Sequence, residues 1–389
     1  MMKDESAPTK PVLGAPDALS APGPGRLPKS PRSMWDWAEF LPIPAAAAVT
    51  LGEGMTPLLP SCLPLGAAVR WKVEARNPTG SQKDRPMSVA ISHARLTGAR
   101  AIVAASTGSA GLACAAYAAR AGLRCVVLVP RGTPRERLIP MACHGASVIT
   151  VDGSFEDIED VLAKLDPDRW YQASTVARVN AVQAEAPKTI AFEIQHQLGA
   201  LPDWLVVPVG GGATIAGIWR GCLELQEMGI ARRLPRLAGI QPTAFDAIDR
   251  AFRTGRRSLA ELDGSELPGC GDTILRNLKH RLPPDGDLAL DAIRASGGTT
   301  ITVTDAAALA GQGRLAAIDG LFCEPSSAVV VDAVERLFGA GAITEGQSVV
   351  GLLTGSGMRE ALSIPAANFP LLSPDQVVEA MSQDRKPTL

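Results

Sequence analysis

The chain has 389 residues, of which 46% are hydrophobic and 20% are charged, and its formal net charge is −2. This balanced charge gives no basis for binding nucleic acid or a membrane surface. No apolar run approaches the roughly 20 residues that span a bilayer, and the N-terminus lacks the pattern of a signal peptide.

The N-terminal segment, residues 1–34, contains seven prolines among Ala, Gly, Ser and Lys. Such a composition does not build a packed core, so we predict a disordered extension there. Order is expected to begin at Trp35.

The rest of the chain alternates short β-branched runs with alanine-rich helical stretches. The predicted strands are Ala101–Ala105, Arg124–Val129, Val148–Val151, Trp204–Val209, Leu237–Ile240 and Ser348–Leu353. The predicted helices are Ala110–Ala121, Pro134–Cys143, Phe155–Leu165, Ile215–Met228 and Ser326–Phe338, with a further helix starting at Ser373. Alternation of this kind predicts an α/β fold with parallel sheets covered on both faces. The elements form two runs, separated near residues 165–200, which predicts two layers that meet at a ligand-binding cleft.

Lys83 lies in the turn sequence Asn77–Pro86, just before a helical run, where a lysine can hold a carbonyl cofactor as a Schiff base. A free lysine titrates near about 10.4 and is a charged, unreactive ammonium in water. It becomes a nucleophile when it is desolvated or placed against positive potential, which the start of a helix supplies. Taken alone, a loop lysine is more commonly a solvated charge.

A triple glycine follows the predicted strand Trp204–Val209 and precedes a helix. The motif consists of Gly210, Gly211, Gly212, Ala213 and Thr214. Successive glycines let several amide groups converge on a phosphate, and the helix start favours the dianion. The spacing is neither GxGxxG nor a P-loop. A plain tight turn is the alternative.

Two further loops follow predicted strands. Ser106, Thr107 and Ser109 offer hydroxyl and amide groups that suit a carboxylate, although such residues also cap helices. Thr354 follows the last predicted strand, where ligands of open sheets bind, and suits a neutral hydrogen bond to a pyridine nitrogen. One cofactor, pyridoxal 5′-phosphate, uses the lysine, the phosphate loop, the ring partner and the carboxylate loop together.

With these motifs in this order, the sequence resembles the fold-type II pyridoxal-phosphate enzymes, and within them the threonine synthases. The resemblance runs from about Trp35 to about Leu362. Its motifs also include Leu51–Leu58 and Phe322–Ala328. It implies two open, mainly parallel α/β domains with the active site in the cleft between them. Residues 35–86 with 190–389 would form the larger cofactor-binding domain, and residues 87–189 the smaller, mobile domain that binds the substrate carboxylate.

The resemblance also assigns roles. Lys83 would carry the cofactor and then move protons, Gly210–Thr214 would bind its phosphate, and Thr354 would meet its ring nitrogen. Ser106, Thr107 and Ser109 would line the substrate-carboxylate loop. Glu324 and Ser326 are weaker candidates for active-site residues, and a purely structural role is the alternative.

The chain departs from the family pattern at two positions. Ser109 stands where an asparagine commonly faces the cofactor's ring hydroxyl. The substrate-binding stretch retains Asn180 and Lys188, but Gln183 replaces the arginine that would grip a substrate phosphate. An arginine binds a doubly negative phosphate through two hydrogen bonds, so its loss weakens the binding of such a substrate.

The leading hypothesis is therefore a threonine synthase-like lyase that acts on an amino acid with a β- or γ-leaving group, such as O-phosphohomoserine. The alternatives are β-replacement on a serine derivative, as in cysteate or cysteine synthases, and deamination of serine or threonine.

The seven cysteines show no CxxC pair and the four histidines no metal-ligand spacing. We expect reduced thiols, a cytoplasmic homodimer and no metal.

Overall fold

The computed structural model of the chain describes residues 27–153, 155–264, 267, 271–359 and 373. The predicted extension lies outside this part up to residue 26, as does the predicted helix beyond Ser373. A short helical segment, Met34–Phe40, begins close to the predicted start of order, and the Ser33 side chain accepts a hydrogen bond from Trp35 N.

Within the described residues, the helices and strands agree with the sequence prediction to within about two residues wherever one was made. The helices are α1 (Asp84–Leu96), α2 (Ser109–Ala121), α3 (Arg135–Cys143), α4 (Phe155–Ala163), α5 (Lys188–Leu198), α6 (Ala213–Glu227), α7 (Ala247–Arg253), α8 (Gly286–Ala295), α9 (Asp305–Arg314) and α10 (Pro325–Gly339). The strands are β1 (Leu58–Pro60), β2 (Ala68–Val73), β3 (Ala101–Ala105), β4 (Arg124–Pro130), β5 (Ser147–Val151), β6 (Tyr171–Gln172), β7 (Trp204–Pro208), β8 (Arg236–Pro242), β9 (Thr299–Val303) and β10 (Ser348–Leu353). No sequence-based prediction covered β1, β2, β6, β9, α5, α7, α8 or α9.

The strands form two sheets, which confirms the predicted α/β class. A six-stranded sheet has the order β1-β2-β10-β7-β8-β9, and a four-stranded sheet has the order β5-β4-β3-β6. Neighbouring strands are parallel except for β1, which is antiparallel to β2. The smaller sheet draws its strands from residues 101–172, and the larger from 58–73 and 204–353. The domain boundaries at residues 86 and 189 stay a prediction.

Strand β10 shows why the central strands read as continuous apolar runs. Val350 and Leu352 pack into one buried core, while Val349 and Leu353 pack into another on the opposite face of the sheet. A strand covered by helices on both faces needs apolar residues at every position.

The topology places the predicted motifs together. Strands β2, β10 and β7 are parallel neighbours, so their carboxyl ends meet at one edge of the sheet. Those ends lead to the Lys83 loop, to Thr354 and to the triple glycine. Within the described residues, no helix combines the length and apolarity that crossing a membrane requires.

Candidate active site

Lys83 is the residue immediately before α1, and backbone hydrogen bonds fix its loop. Gly80 turns the chain with a φ of +82°, a conformation that favours glycine. Gln82 N donates to Thr354 O at 2.9 Å, and Ser356 N donates to Gly80 O at 2.9 Å. The lysine loop is therefore joined directly to the loop that follows β10.

The environment of Lys83 favours a neutral amine. Burial lowers the pKa of Lys83, although the nearby carboxylates of Asp285 and Glu324 oppose that shift. No carboxylate lies within ion-pair distance of its ammonium group among the described residues. A desolvated, uncharged lysine is the form that attacks a carbonyl carbon.

The triple glycine connects β7 to α6, and close packing explains its composition. A Cβ atom at Gly210 would lie 2.5 Å from Asn277 O, and one at Gly212 would collide with Asp285 O. Gly212 also has a φ of +106° and caps α6 without a side chain. The first amide groups of α6 have no partner within the helix and are available to an anion.

The segment from Asn277 to Asp285 covers the triple glycine, and sequence reasoning had missed it. Asp285 N donates to Gly211 O at 2.8 Å. The ring of His280 lies 3.4 Å from where a Cβ of Gly210 would be. Burial, more than the nearby Lys83, lowers the pKa of His280 to about 4, so this imidazole is neutral near neutral pH.

Thr354 is buried with 6% of its surface exposed and belongs to a small hydroxyl network. Its Oγ1 lies 2.7 Å from Ser327 Oγ, which also accepts a hydrogen bond from Gly355 N at 2.9 Å. These contacts hold the hydroxyl at the carboxyl end of β10. An uncharged hydroxyl there leaves a facing pyridine nitrogen unprotonated.

Glu324 lies beneath the same loop. A Cβ at Gly355 would be 2.6 to 2.7 Å from the Glu324 carboxyl group, and Asn277 Nδ2 donates to Glu324 Oε2 at 2.8 Å. Burial raises the pKa of Glu324, although nearby arginines oppose the shift. Ser326 Oγ accepts a hydrogen bond from Asn277 N at 3.4 Å, so Ser326 supports the same segment.

The predicted carboxylate loop joins β3 to α2. Ser106 Oγ accepts hydrogen bonds from Gly108 N at 3.3 Å and Gly111 N at 2.9 Å, which shapes the start of the helix. Ser109 Oγ accepts a hydrogen bond from Arg359 Nη1 at 2.7 Å. Arg359 was not predicted, although it stands only five residues after Thr354, which the sequence had marked.

Asn180 and Gln183 lie together before α5. Asn180 Nδ2 donates to Tyr171 Oη at 3.0 Å and to Gln172 O at 3.1 Å, and its Oδ1 accepts from Gln183 N at 3.3 Å. The Gln183 side chain is buried, and its Nε2 has no hydrogen-bond partner among the described residues. A buried amide without a partner is costly, so Gln183 retains a donor suited to a ligand oxygen.

Lys188 begins α5, and its ammonium has two protein partners. Lys188 Nζ lies 3.0 Å from Glu185 Oε2 and 3.0 Å from Glu224 Oε1. Its backbone packs against Gly221 in the middle of α6, where a Cβ would be 2.5 Å from Lys188 O. The substrate-binding role of Lys188 stays a prediction, and its charge is already balanced within the protein.

The arrangement fits the chemistry of pyridoxal phosphate. Burial lowers the pKa of Lys83, which favours the nucleophilic amine, and the start of α6 at Gly212 offers backbone amide groups to a phosphate. Thr354 supplies a fixed hydroxyl, and the start of α2 at Ser109 supplies a second anion site. The geometry therefore accommodates the aldehyde, the phosphate and the ring of the cofactor at one sheet edge.

Comparisons with known proteins agree with this interpretation. Residues 49–355 match the family described as "Pyridoxal-phosphate dependent enzyme". The chain is 37% identical over 328 residues to the threonine synthase of Synechocystis sp., covering 82% of this chain and 81% of that protein. It is 35% identical over 343 residues to the threonine synthase of Methanocaldococcus jannaschii, covering 86% and 82%.

Solved structures share the fold. The crystal structure of O-ureido-L-serine synthase superposes with a TM-score of 0.66 at 22% identity, covering 84% of this chain and 96% of that one. The fungal L-serine ammonia-lyase from Rhizomucor miehei gives a TM-score of 0.64 at 20% identity, covering 78% and 94%.

Proposed function

Because the chain belongs to the pyridoxal-phosphate dependent enzymes, we propose that it is a lyase of the threonine synthase type. It acts on an amino acid with a β- or γ-leaving group. Its relatives' names give threonine as the product, and the sequence resemblance implies O-phosphohomoserine as the substrate. The similarity to both relatives extends over more than four fifths of the chain.

One observation carries this proposal. Burial lowers the pKa of the part-buried Lys83, no carboxylate pairs directly with its amine among the described residues, and its loop lies where three parallel strands end. A lysine in solution keeps its proton, whereas this one is suited to bind an aldehyde.

The bound cofactor supplies an electron sink for negative charge at the substrate's α-carbon. The Gly210–Thr214 loop would hold its phosphate through backbone amides, and the Thr354 hydroxyl would donate to its ring nitrogen. Ser109 would serve its ring hydroxyl. Lys83 would hold its aldehyde through Nζ and would later take up the α-proton of the substrate.

The substrate carboxylate binds at the start of α2. Ser106 and Thr107 contribute hydroxyl and amide groups there, and the helix dipole favours the negative charge. Closure of the smaller sheet's elements over the larger sheet excludes water while the α-proton is held on Lys83.

A second candidate keeps the cofactor and changes the substrate. Gln183 is uncharged where an arginine would grip a phosphate, which favours a substrate that carries no phosphate. β-Replacement on a serine derivative and deamination of serine or threonine both fit that condition.

Product analysis separates these functions. The purified holoenzyme is mixed in turn with O-phospho-L-homoserine, O-acetyl-L-serine with a thiol or sulfite, L-serine and L-threonine. Phosphate release with threonine formation supports the threonine synthase reaction, and ammonia with a 2-oxo acid supports deamination. No product from any of these amino acids contradicts the proposed function.

The assembly and location remain part of the proposal. The sequence leads us to expect a cytoplasmic homodimer. Light scattering of the full-length chain measures its mass in solution, and a value other than twice 40.5 kDa contradicts the homodimer.

A further inference from the structure

Asp285 contacts both the phosphate loop and a segment that follows the smaller sheet. Its backbone is fixed on the triple glycine, because Asp285 N donates to Gly211 O at 2.8 Å and a Cβ at Gly212 would collide with Asp285 O. Its carboxylate binds a different element. Oδ1 and Oδ2 each lie 3.1 Å from Ala177 N and share its hydrogen bond. Ala177 follows β6, so this one residue joins the two parts of the site.

The carboxylate makes this contact instead of the one its position favours. Asp285 is the residue before α8, and an aspartate there ordinarily accepts a hydrogen bond from the first amides of its own helix. Asp285 makes no such bond, and only 5% of its surface is exposed. Within the described residues, the amide of Ala177 is therefore the hydrogen-bond donor that satisfies this buried carboxylate.

Ala177 belongs to a single helical turn, residues 176–180, which we call the substrate turn. Asn180 N closes the turn by donating to Val176 O at 3.0 Å. The first amides of a helical turn have no partner within it, and the Asp285 carboxylate supplies one for Ala177 N. A displacement of the carboxylate would therefore displace the turn, and with it Asn180.

The end of the substrate turn supports the predicted substrate residues. Asn180 Oδ1 accepts a hydrogen bond from Gln183 N at 3.3 Å, and its Nδ2 donates to Tyr171 Oη at 3.0 Å. Gln183 keeps a buried Nε2 without a partner among the described residues. A continuous series of contacts thus leads from Gly211 through Asp285 and the substrate turn to Gln183.

The surroundings of Asp285 make this contact costly to break. Burial raises the pKa of Asp285, whereas the hydrogen bond from Ala177 and the charges of Lys83 and Arg178 oppose that shift. Without the amide of Ala177, a buried carboxylate would lose its donor, which costs more than the bond itself contributes. The substrate turn is therefore held wherever the backbone of Asp285 is held.

We propose that Asp285 is a positioning residue that couples the phosphate loop to the substrate turn, so that binding of the cofactor phosphate orders Asn180 and Gln183. A phosphate bound by the amides of Gly210–Thr214 fixes the backbone to which Asp285 is attached. The inference rests on the proposed function for its cofactor and is the same for each of the candidate reactions.

The test is hydrogen–deuterium exchange of the full-length chain, with and without saturating pyridoxal 5′-phosphate. In the wild type, the cofactor should slow exchange of the amides in residues 176–180. Asp285→Ala should still take up the cofactor, as its absorbance shows. With the cofactor bound, the Ala177 amide should exchange roughly tenfold or more faster than in the wild type, because a hydrogen bond to a charged acceptor is lost.

Two further variants make the result specific. Asp287→Ala removes an exposed carboxylate two residues along α8, which accepts a hydrogen bond from Leu259 N at 2.7 Å. It should leave the effect of the cofactor on the substrate turn unchanged. Asp285→Asn keeps an acceptor oxygen without the charge and should retain part of that effect.

Exchange in the substrate turn that does not respond to the cofactor in the wild type would overturn the inference, as would a wild-type response in Asp285→Ala. If Asp285→Ala does not fold, Asp285→Asn decides: a reduced response supports the coupling, and a full response contradicts it. Failure of both variants to fold would also contradict it, by assigning Asp285 to stability alone. A wild-type protein that takes up no cofactor would contradict the proposed function instead.

Discussion

Two groups of charged side chains lie close together at the start of α1, one fully buried and paired, the other part-buried and without close ion pairs. The paired cluster consists of Lys72, Glu74, Arg85 and Glu193, whose side chains have no solvent exposure. Its ion pairs measure 2.5 to 2.7 Å. The reactive cluster consists of Lys83, Glu324 and Arg359, and no ion pair within 4 Å joins any of these three among the described residues.

The pKa values follow this difference. Burial alone raises the pKa of Glu193, but the charges of Arg85 and Lys72 lower it to about 2, so it stays ionised. Burial raises the pKa of Glu324 and lowers that of Lys83, which favours the uncharged form of each. Buried charged groups with close partners hold the fold together, whereas part-buried groups without close ion pairs are available for proton transfer and ligand binding.

The largest expected effect comes from the reactive cluster. Lys83→Ala removes the amine that binds the cofactor and moves the proton, so activity should fall by roughly 10³-fold or more. The visible absorbance of the lysine-linked cofactor should disappear, and the free energy of unfolding of the cofactor-free protein should change little.

Lys164→Ala is the matched control, because Lys164 is an exposed lysine away from the cleft. It should keep the absorbance and the activity. A Lys83→Ala protein that retains wild-type absorbance would remove the distinction between the two clusters.

Substitutions in the paired cluster should change the free energy of unfolding. Glu193→Gln keeps the side-chain volume but leaves Arg85 and Lys72 without a full countercharge, which should cost about 3–5 kcal/mol. Glu335→Gln breaks a partly exposed pair with Arg314 and should cost less than about 1 kcal/mol. Urea unfolding measures both, and equal losses would show that burial of the pair is unimportant.

Asp84 stands between the clusters in sequence and should produce the smallest effect. Burial raises its pKa to about 7, although hydrogen bonds from Thr79 oppose the shift. An unfolded aspartate titrates near about 3.9, so the folded protein holds a proton that the unfolded chain releases. The free energy of unfolding therefore falls as pH rises from about 4 to about 7.

Asp84→Asn removes that dependence. Between pH 5 and 7, cofactor-free wild type should lose up to roughly 1.4 kcal/mol per pH unit more than the variant does. Denaturant unfolding at several pH values measures the difference. Parallel curves for the two proteins would show that Asp84 is ionised in the fold.

The sequence predicted the parts of the site that lie next to strong local patterns. Lys83 precedes a helix, the triple glycine follows a continuous apolar strand, and Thr354 ends another. In each case a parallel strand or a helix start fixes where the backbone goes. The motifs therefore sufficed to place these residues at one sheet edge.

Features that depend on distant partners escaped prediction. Strand β2 contains Lys72, which breaks its apolar pattern and is buried because Glu193 on α5 neutralises it. Arg359 and Asn277 lie in single-turn 3-10 helices, and their positions beside Ser109 and Gly108 arise from packing between elements far apart in sequence.

The most direct test of the account is to find which lysine carries the cofactor. The native holoenzyme is reduced with borohydride, which fixes the link between lysine and pyridoxal phosphate, then digested, and the labelled peptide is identified by mass spectrometry. The account predicts the label on Lys83. A label on another lysine, or a folded protein that takes up no cofactor, would contradict it.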